Sequence, residues 1–147
     1  MAKEIAIAVN PEKDCLEVLK SFKHKGLFEG ARVHFVFIFE VQYYFNELTT
    51  YVFPTEEQKD SIKQNFLDIV ENVKNDILGE AKPKEVVHQC LFAYDPKEKM
   101  VEYVESHHCD LAIVATRNKS KLESLFTSSF AEHMIKLSTS DVLVVRP

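Results

Sequence analysis

The chain has 147 residues, 46% apolar and 28% charged, with a net charge of −5. That length suits one domain with a sizeable core. The acidic balance argues against a dedicated nucleic-acid binder, which carries a basic face and a basic pI.

No apolar run approaches the ~18 residues a membrane span requires. The N-terminal stretch MAKEIAIAVNPEKD has acidic residues close behind a short apolar run, which makes a poor signal peptide. Cys15, Cys90 and Cys109 are odd in number and widely spaced. They read as ordinary thiols in a reducing cytoplasm, not as a disulfide framework or a zinc site. No linker, repeat or low-complexity tract interrupts the chain, so residues 1–147 read as a single domain.

Glu4–Val9 (EIAIAV) is a short apolar run closed by the turn signal Asn10-Pro11, and is expected to be the first strand. Asp14–Phe28 carries Leu16, Leu19, Phe22 and Leu27 at near-helical spacing, with Gly30 as its stop. Arg32–Glu40 (RVHFVFIFE) is β-branched and aromatic. Its near-continuous apolarity fits a parallel strand buried on both faces. Val41–Pro54 reads as irregular and rich in aromatics.

Thr55 and Gln58 have capping-box spacing, and Ile62, Phe66, Ile69, Val73 and Ile77 mark the buried stripe of a long helix ended by Gly79. Glu85–Phe92 is a third strand. Asp95-Pro96 opens a helix that buries Met100, Val101 and Val104. Asp110–Thr116 is a fourth strand, Ser129–Leu137 a helix and Asp141–Val145 the last strand.

Strict alternation of strand and helix predicts an α/β three-layer sandwich: five mostly parallel strands with helices on both faces. In such sheets a ligand sits beyond the carboxyl ends of the strands, where the strand order switches. The expected walls are Asn10, the start of the loop after Phe39, Tyr94, and the loop Ala115–Ser129. That last loop begins VATRNKSKLESLFTSSF: an apolar run, then Arg117, Asn118, Lys119 and Lys121, then Thr127, Ser128 and Ser129 opening a helix. Strand, loop and helix N-terminus can hold an anion. A plain N-cap and a solvated basic run account for the same residues.

From Asp110 to Pro147 the chain resembles the universal stress protein family. The family pattern there is a strand, G-x-x-G, nine residues, G-S/T, a helix and a PVLVV-like strand, and the spacing is kept without a gap. Leu122-Glu123, Ala131-Glu132 and Val142–Arg146 fall where the family places them, and IAIAVN and DPKEKMVEYVESHHCDL resemble its first strand and third helix. The resemblance implies a Rossmann-like sheet, a nucleotide site in some members, and homodimers formed through the last strand, here Val142, Leu143, Val144 and Val145.

The motif is degenerate. Its glycine positions hold Ala115, Asn118 and Ser128, with the hydroxyl kept at Ser129; the first-strand Asp is Asn10, and Tyr94 stands where a glycine often follows the third strand. Ile38 occupies the position that packs on adenine. Backbone amides cradle a phosphate only where the chain approaches closely in unusual conformations. Ala115 and Ser128 add atoms there, while Asn118 still tolerates left-handed geometry. The candidate nucleotide site is therefore Asn10, Ile38, Ala115, Asn118, Ser128 and Ser129, with ATP binding weakened or lost.

The expectation is a non-enzymatic regulatory or sensing protein that acts by binding, with no cofactor or at most weak ATP. Its alternatives are an ATP-binding module and a slow nucleotide hydrolase, the latter lacking an evident general base. The aromatic stretch Tyr43–Phe53 is either a self-packed cluster or a surface for a protein partner. His107-His108-Cys109-Asp110 reads as a helix-end turn in preference to a metal site. No nucleic acid, membrane or metal partner is expected.

Overall fold

The computed structural model describes residues 3–22, 24, 26–116 and 129–147. Five parallel strands form one sheet: β1 (Glu4–Ala8), β2 (Arg32–Glu40), β5 (Glu85–Ala93), β6 (Leu111–Ala115) and β7 (Asp141–Val145), in the order β5-β2-β1-β6-β7. Between β2 and the next helix, β3 (Gln42–Phe45) and β4 (Thr50–Phe53) form a separate antiparallel hairpin. The helices are α1 (Lys13–Ser21), α2 (Glu56–Leu78), α3 (Pro96–Ser106) and α4 (Ser129–Leu137).

Successive strand residues point to opposite faces, so the sheet feeds two cores. Ile5, Ile7, Val33, Phe35 and Ile113 meet Val18 and Leu19 of α1 and Phe66, Val70 and Ile77 of α2. Ala6, Val36, Ala112 and Val114 meet Met100 and Val104 of α3 and Ala131 and Met134 of α4. β2 is buried on both faces over Val33–Val36, which is why its sequence lacks polar alternation.

The helix signals are used as their chemistry suggests. The Thr55 side chain accepts from the Gln58 amide at 3.3 Å while the Gln58 side chain accepts from the Thr55 amide at 2.8 Å. Asp95 caps α3 by accepting from the Lys97 and Glu98 amides, with Pro96 at the first helical position. Gly79 leaves α2 at a φ of 63°.

Two expectations need correction. The first helix does not run to Phe28: it stops at Ser21, and Leu27 and Phe28 lie in a turn between Gly26 (φ 72°) and Gly30 (φ 68°). Phe28 is fully buried in the α1/α2 core, so its apolar spacing reflects packing from a turn. Residues 41–54 are also not irregular. Asn46 closes the hairpin by accepting from the Leu48 and Thr49 amides at 2.9 and 2.7 Å, an Asx turn that needs no glycine.

At the amino ends of the strands lies a polar network. The Glu4 carboxylate receives Arg32 at 2.7 Å and His34 Nε2 at 2.6 Å, and Arg32 also reaches Glu85 at 2.7 Å. His34 is buried, and its Nδ1 is hydrogen-bonded to the Tyr103 hydroxyl at 2.7 Å. Burial first, then the neighbouring Cys109 and Glu4, push the Tyr103 phenol far above its usual range, so it stays a hydroxyl.

Candidate functional site

β1 sits at the centre of the sheet with β2 on one side and β6 on the other, so the order in which strands are added reverses between β1 and β6. Beyond the carboxyl ends of these strands lies a cavity of about 530 Å³. That size suits a small molecule. β1 and the turn after it supply Ala8, Val9, Asn10, Pro11 and Glu12, and β2 supplies Val36, Phe37 and Ile38. β6 supplies Val114, Ala115 and Thr116; α3 and α4 close the side through Met100, Phe130 and Ala131.

Three of the six residues singled out in the sequence, Asn10, Ile38 and Ala115, thus line one cavity although β1, β2 and β6 are far apart in the chain. Asn118 and Ser128 lie outside the described residues. Ser129 is the first residue of α4, and the two residues after it line the cavity, so this helix presents its amino end there. A helix amino end carries partial positive charge.

Asn10 is fixed by its own turn. Its Oδ1 accepts from the Glu12 backbone amide at 3.0 Å. Ala115 ends β6 and is paired with Val145 of β7. Thr116 follows it; its amide donates to the Val145 carbonyl at 2.9 Å. Its hydroxyl is buried and has no hydrogen-bond partner among the described residues. Such a group costs about 1–3 kcal/mol relative to a bonded one. Glu12 is the one charged side chain among the described residues of the wall.

Tyr94 does not line the cavity, contrary to the expectation that it forms one of its walls. It follows β5, the edge strand, two strands away from the switch between β1 and β6. Its ring lies against Tyr43 of the hairpin, with centroids 5.0 Å apart and planes 12° from parallel. Conversely, sequence reasoning missed Glu12, Cys15 and Met100 as wall residues, while Thr116 falls within the expected loop Ala115–Ser129. Thr116 was legible, since it directly follows the strand end at Ala115. Cys15 and Met100 were not: each carries a core residue's pattern, and each lies in the first half of its helix.

The described residues hold no group of three or more His, Cys, Asp or Glu side chains placed to bind a metal. His107–Asp110 form the end of α3: His107 is its cap, its ring stacked on Tyr103 at 3.9 Å, and His108 turns the chain at a φ of 51°. Cys109 is buried, and burial followed by Glu4 and Asp110 pushes its thiol up to about 11. No described helix is long and apolar enough to cross a membrane.

Comparison with known proteins gives the architecture a family. A universal stress protein solved in complex with cAMP superposes with a TM-score of 0.65 at 12% identity, covering 99% of this chain and 97% of its own. The universal stress protein from Archaeoglobus fulgidus in complex with dAMP matches at a TM-score of 0.62 and 16% identity, with 97% of each chain covered. That from Lactobacillus plantarum matches at 0.56 and 11%, covering 98% of this chain and 97% of its own. At such identities the likeness concerns the fold. A comparison with curated proteins found no match. The family model of the universal stress proteins matches residues 1–146, and the chain belongs to that family.

Proposed function

We propose that this protein is a regulatory or sensing member of its family that acts by binding, and that its cavity receives the uncharged, nucleoside part of a small nucleotide. ATP is held weakly or not at all. The observation that carries this reading is the position of Ala115 on the cavity wall, at the end of β6, where the family motif has glycine. A side chain at this position would add atoms where a triphosphate needs bare backbone. The apolar side chains on the wall, Val9, Val36, Ile38 and Met100, offer a surface for a base. The two relatives solved with cAMP and dAMP carry ligands with a single phosphate, a smaller demand on the cradle.

Asn10, Ile38 and Ala115 would hold the nucleoside, and Asn118, Ser128 and Ser129 the phosphate. Calorimetric titration with ATP, ADP and AMP, with and without Mg²⁺, tests this. AMP binding at least as tightly as ATP is expected; micromolar ATP with much weaker AMP overturns the reading.

The same proposal includes a homodimer through β7. That strand is a sheet edge, so one side of its backbone is open to pairing. Next to it α4 exposes Ile135 (60%) and Leu137 (57%), apolar side chains that a dimer would cover. A charge at Val144 should give monomers in sedimentation with an unchanged circular dichroism spectrum; persisting dimers rule out this edge. The hairpin is the candidate surface for a different protein, because Phe45 (77% exposed) and Leu48 (95% exposed) project from it.

A further inference from the structure

We propose that the hairpin docks a basic protein segment that presents arginine, and that the stacked pair Tyr44 and Tyr51 receives the guanidinium. The inference rests on the reading of the hairpin as a protein surface, and it names the chemistry of the partner.

The sequence supplies the charge. From Val33 to Gln58 the chain has no lysine or arginine, and its carboxylates there are Glu40, Glu47, Glu56 and Glu57. The hairpin lies within this stretch. Glu40 ends β2 just before the hairpin, and Glu47 lies in the turn between β3 and β4. Both are exposed, and neither has an ion-pair partner among the described residues. Glu56 differs, because Lys59 neutralises it at 3.1 Å. Open carboxylates at the base and the turn of the hairpin attract cations and turn away nucleic acid and acidic chains.

The hairpin supplies the aromatic surface. Tyr43 and Tyr44 are neighbours on one strand, so they point to opposite faces. Tyr43 is backed by Tyr94. Tyr44 lies opposite Tyr51, and the two rings stack with centroids 5.2 Å apart and planes 18° from parallel. The Tyr44 hydroxyl donates to Gln42 Oε1 at 2.6 Å, which restrains the ring. Both rings are exposed. The face of an aromatic ring attracts a cation, and a guanidinium can also stack flat on it.

The chain already shows this chemistry at a neighbouring ring. Lys59 and Lys63 hold their ammonium groups 5.5 and 5.8 Å from the centre of Phe92. Phe92 packs on Phe39, and Phe39 on Phe53, which shares a face of β4 with Tyr51. The aromatic run thus continues outward into Tyr51 and Tyr44, where no cation of the described residues stands over either ring. At the tip, Phe45 and Leu48 offer apolar contacts for the residues that flank the arginine.

The test is amide chemical-shift titration of the full chain with three hexapeptides that alternate leucine with arginine, with lysine or with glutamate. The arginine peptide is expected to give saturable shifts within Gln42–Phe53 that weaken with added salt. It should bind about fivefold or more tighter than the glutamate peptide. Tyr44→Leu keeps an apolar side chain and removes the ring; Glu47→Gln keeps the side-chain shape and removes the charge. Each should weaken the arginine peptide about threefold. A glutamate or lysine peptide that binds as tightly as the arginine peptide overturns this inference and leaves the hairpin as a protein surface, as does an affinity unchanged in either variant. Hairpin amides unmoved by all three peptides overturn both.

Discussion

Tyr94 and Tyr43 stack face to face, and their hydroxyls are hydrogen-bonded. One ring follows edge strand β5 and the other belongs to the hairpin, so the contact fastens the hairpin to the end of the sheet. The base of the hairpin is held by Phe53 against Phe39, with centroids 5.9 Å apart.

Replacing Tyr43 by Ala should cost about 0.5–1.5 kcal/mol, the range for an aromatic pair beyond its area. Urea denaturation measures the loss. Hydrogen exchange should quicken within Gln42–Phe53 and hardly elsewhere, because the five-stranded sheet does not depend on the hairpin. Exchange accelerating throughout the sheet would contradict that division.

Tyr103→Phe probes the other end of the strands. It removes the hydroxyl bonded to His34 Nδ1 and leaves a buried ring nitrogen without its partner. The expected cost is about 1–3 kcal/mol. Nucleotide affinity should not change, since this network lies at the amino ends of the strands and the cavity at the carboxyl ends. A neutral substitution would show that the bond contributes little.

His88 gives a pH dependence. Burial chiefly, with help from Lys74 and against the pull of Glu71, lowers its pKa from 6.5. Below 6.5 the unfolded chain therefore takes up a proton that the folded chain resists. Stability from this group is complete above 6.5 and is lost as pH falls through the folded value. His88→Gln should flatten the stability profile on the acid side of 6.5 relative to the natural chain. Parallel profiles for the two proteins would refute this assignment.

Ala115→Gly tests the steric reading of the cradle. Removing the Cβ should raise ATP affinity about fivefold, the equivalent of ~1 kcal/mol. Glycine in a strand should also lower stability by about 0.5–1 kcal/mol. Lower stability with no gain for ATP would mean that Ala115 is not the obstacle.

Much of this was legible in the chain. The apolar runs of β1, β2, β5, β6 and β7 are each bounded by turn or cap signals, and they alternate with helical patterns, so a parallel sheet follows. The hairpin was hidden because Tyr43, Tyr44, Phe45 and Tyr51 put aromatics on both faces and its turn has no glycine. Phe22 and Leu27 imitated a continuing helical stripe, yet both lie beyond Ser21, where α1 ends. Tyr94 was misplaced for a deeper reason: the cavity lies between β1 and β6, and strand order depends on crossovers that composition does not encode. Asn10 and Ala115 were found because each stands at or just past a strand's carboxyl end, and Ile38, two residues inside the end of β2, because the resemblance pointed to it.

A nucleotide bound as proposed would sit in the cavity beyond the carboxyl ends of β1, β2 and β6. Amide chemical-shift mapping during titration with a purine mononucleotide tests it most directly. The largest shifts are expected at Asn10, Glu12, Ile38, Ala115 and Thr116. Saturable shifts concentrated instead on the hairpin or around His34 and Tyr103, with the cavity residues unmoved, would contradict it.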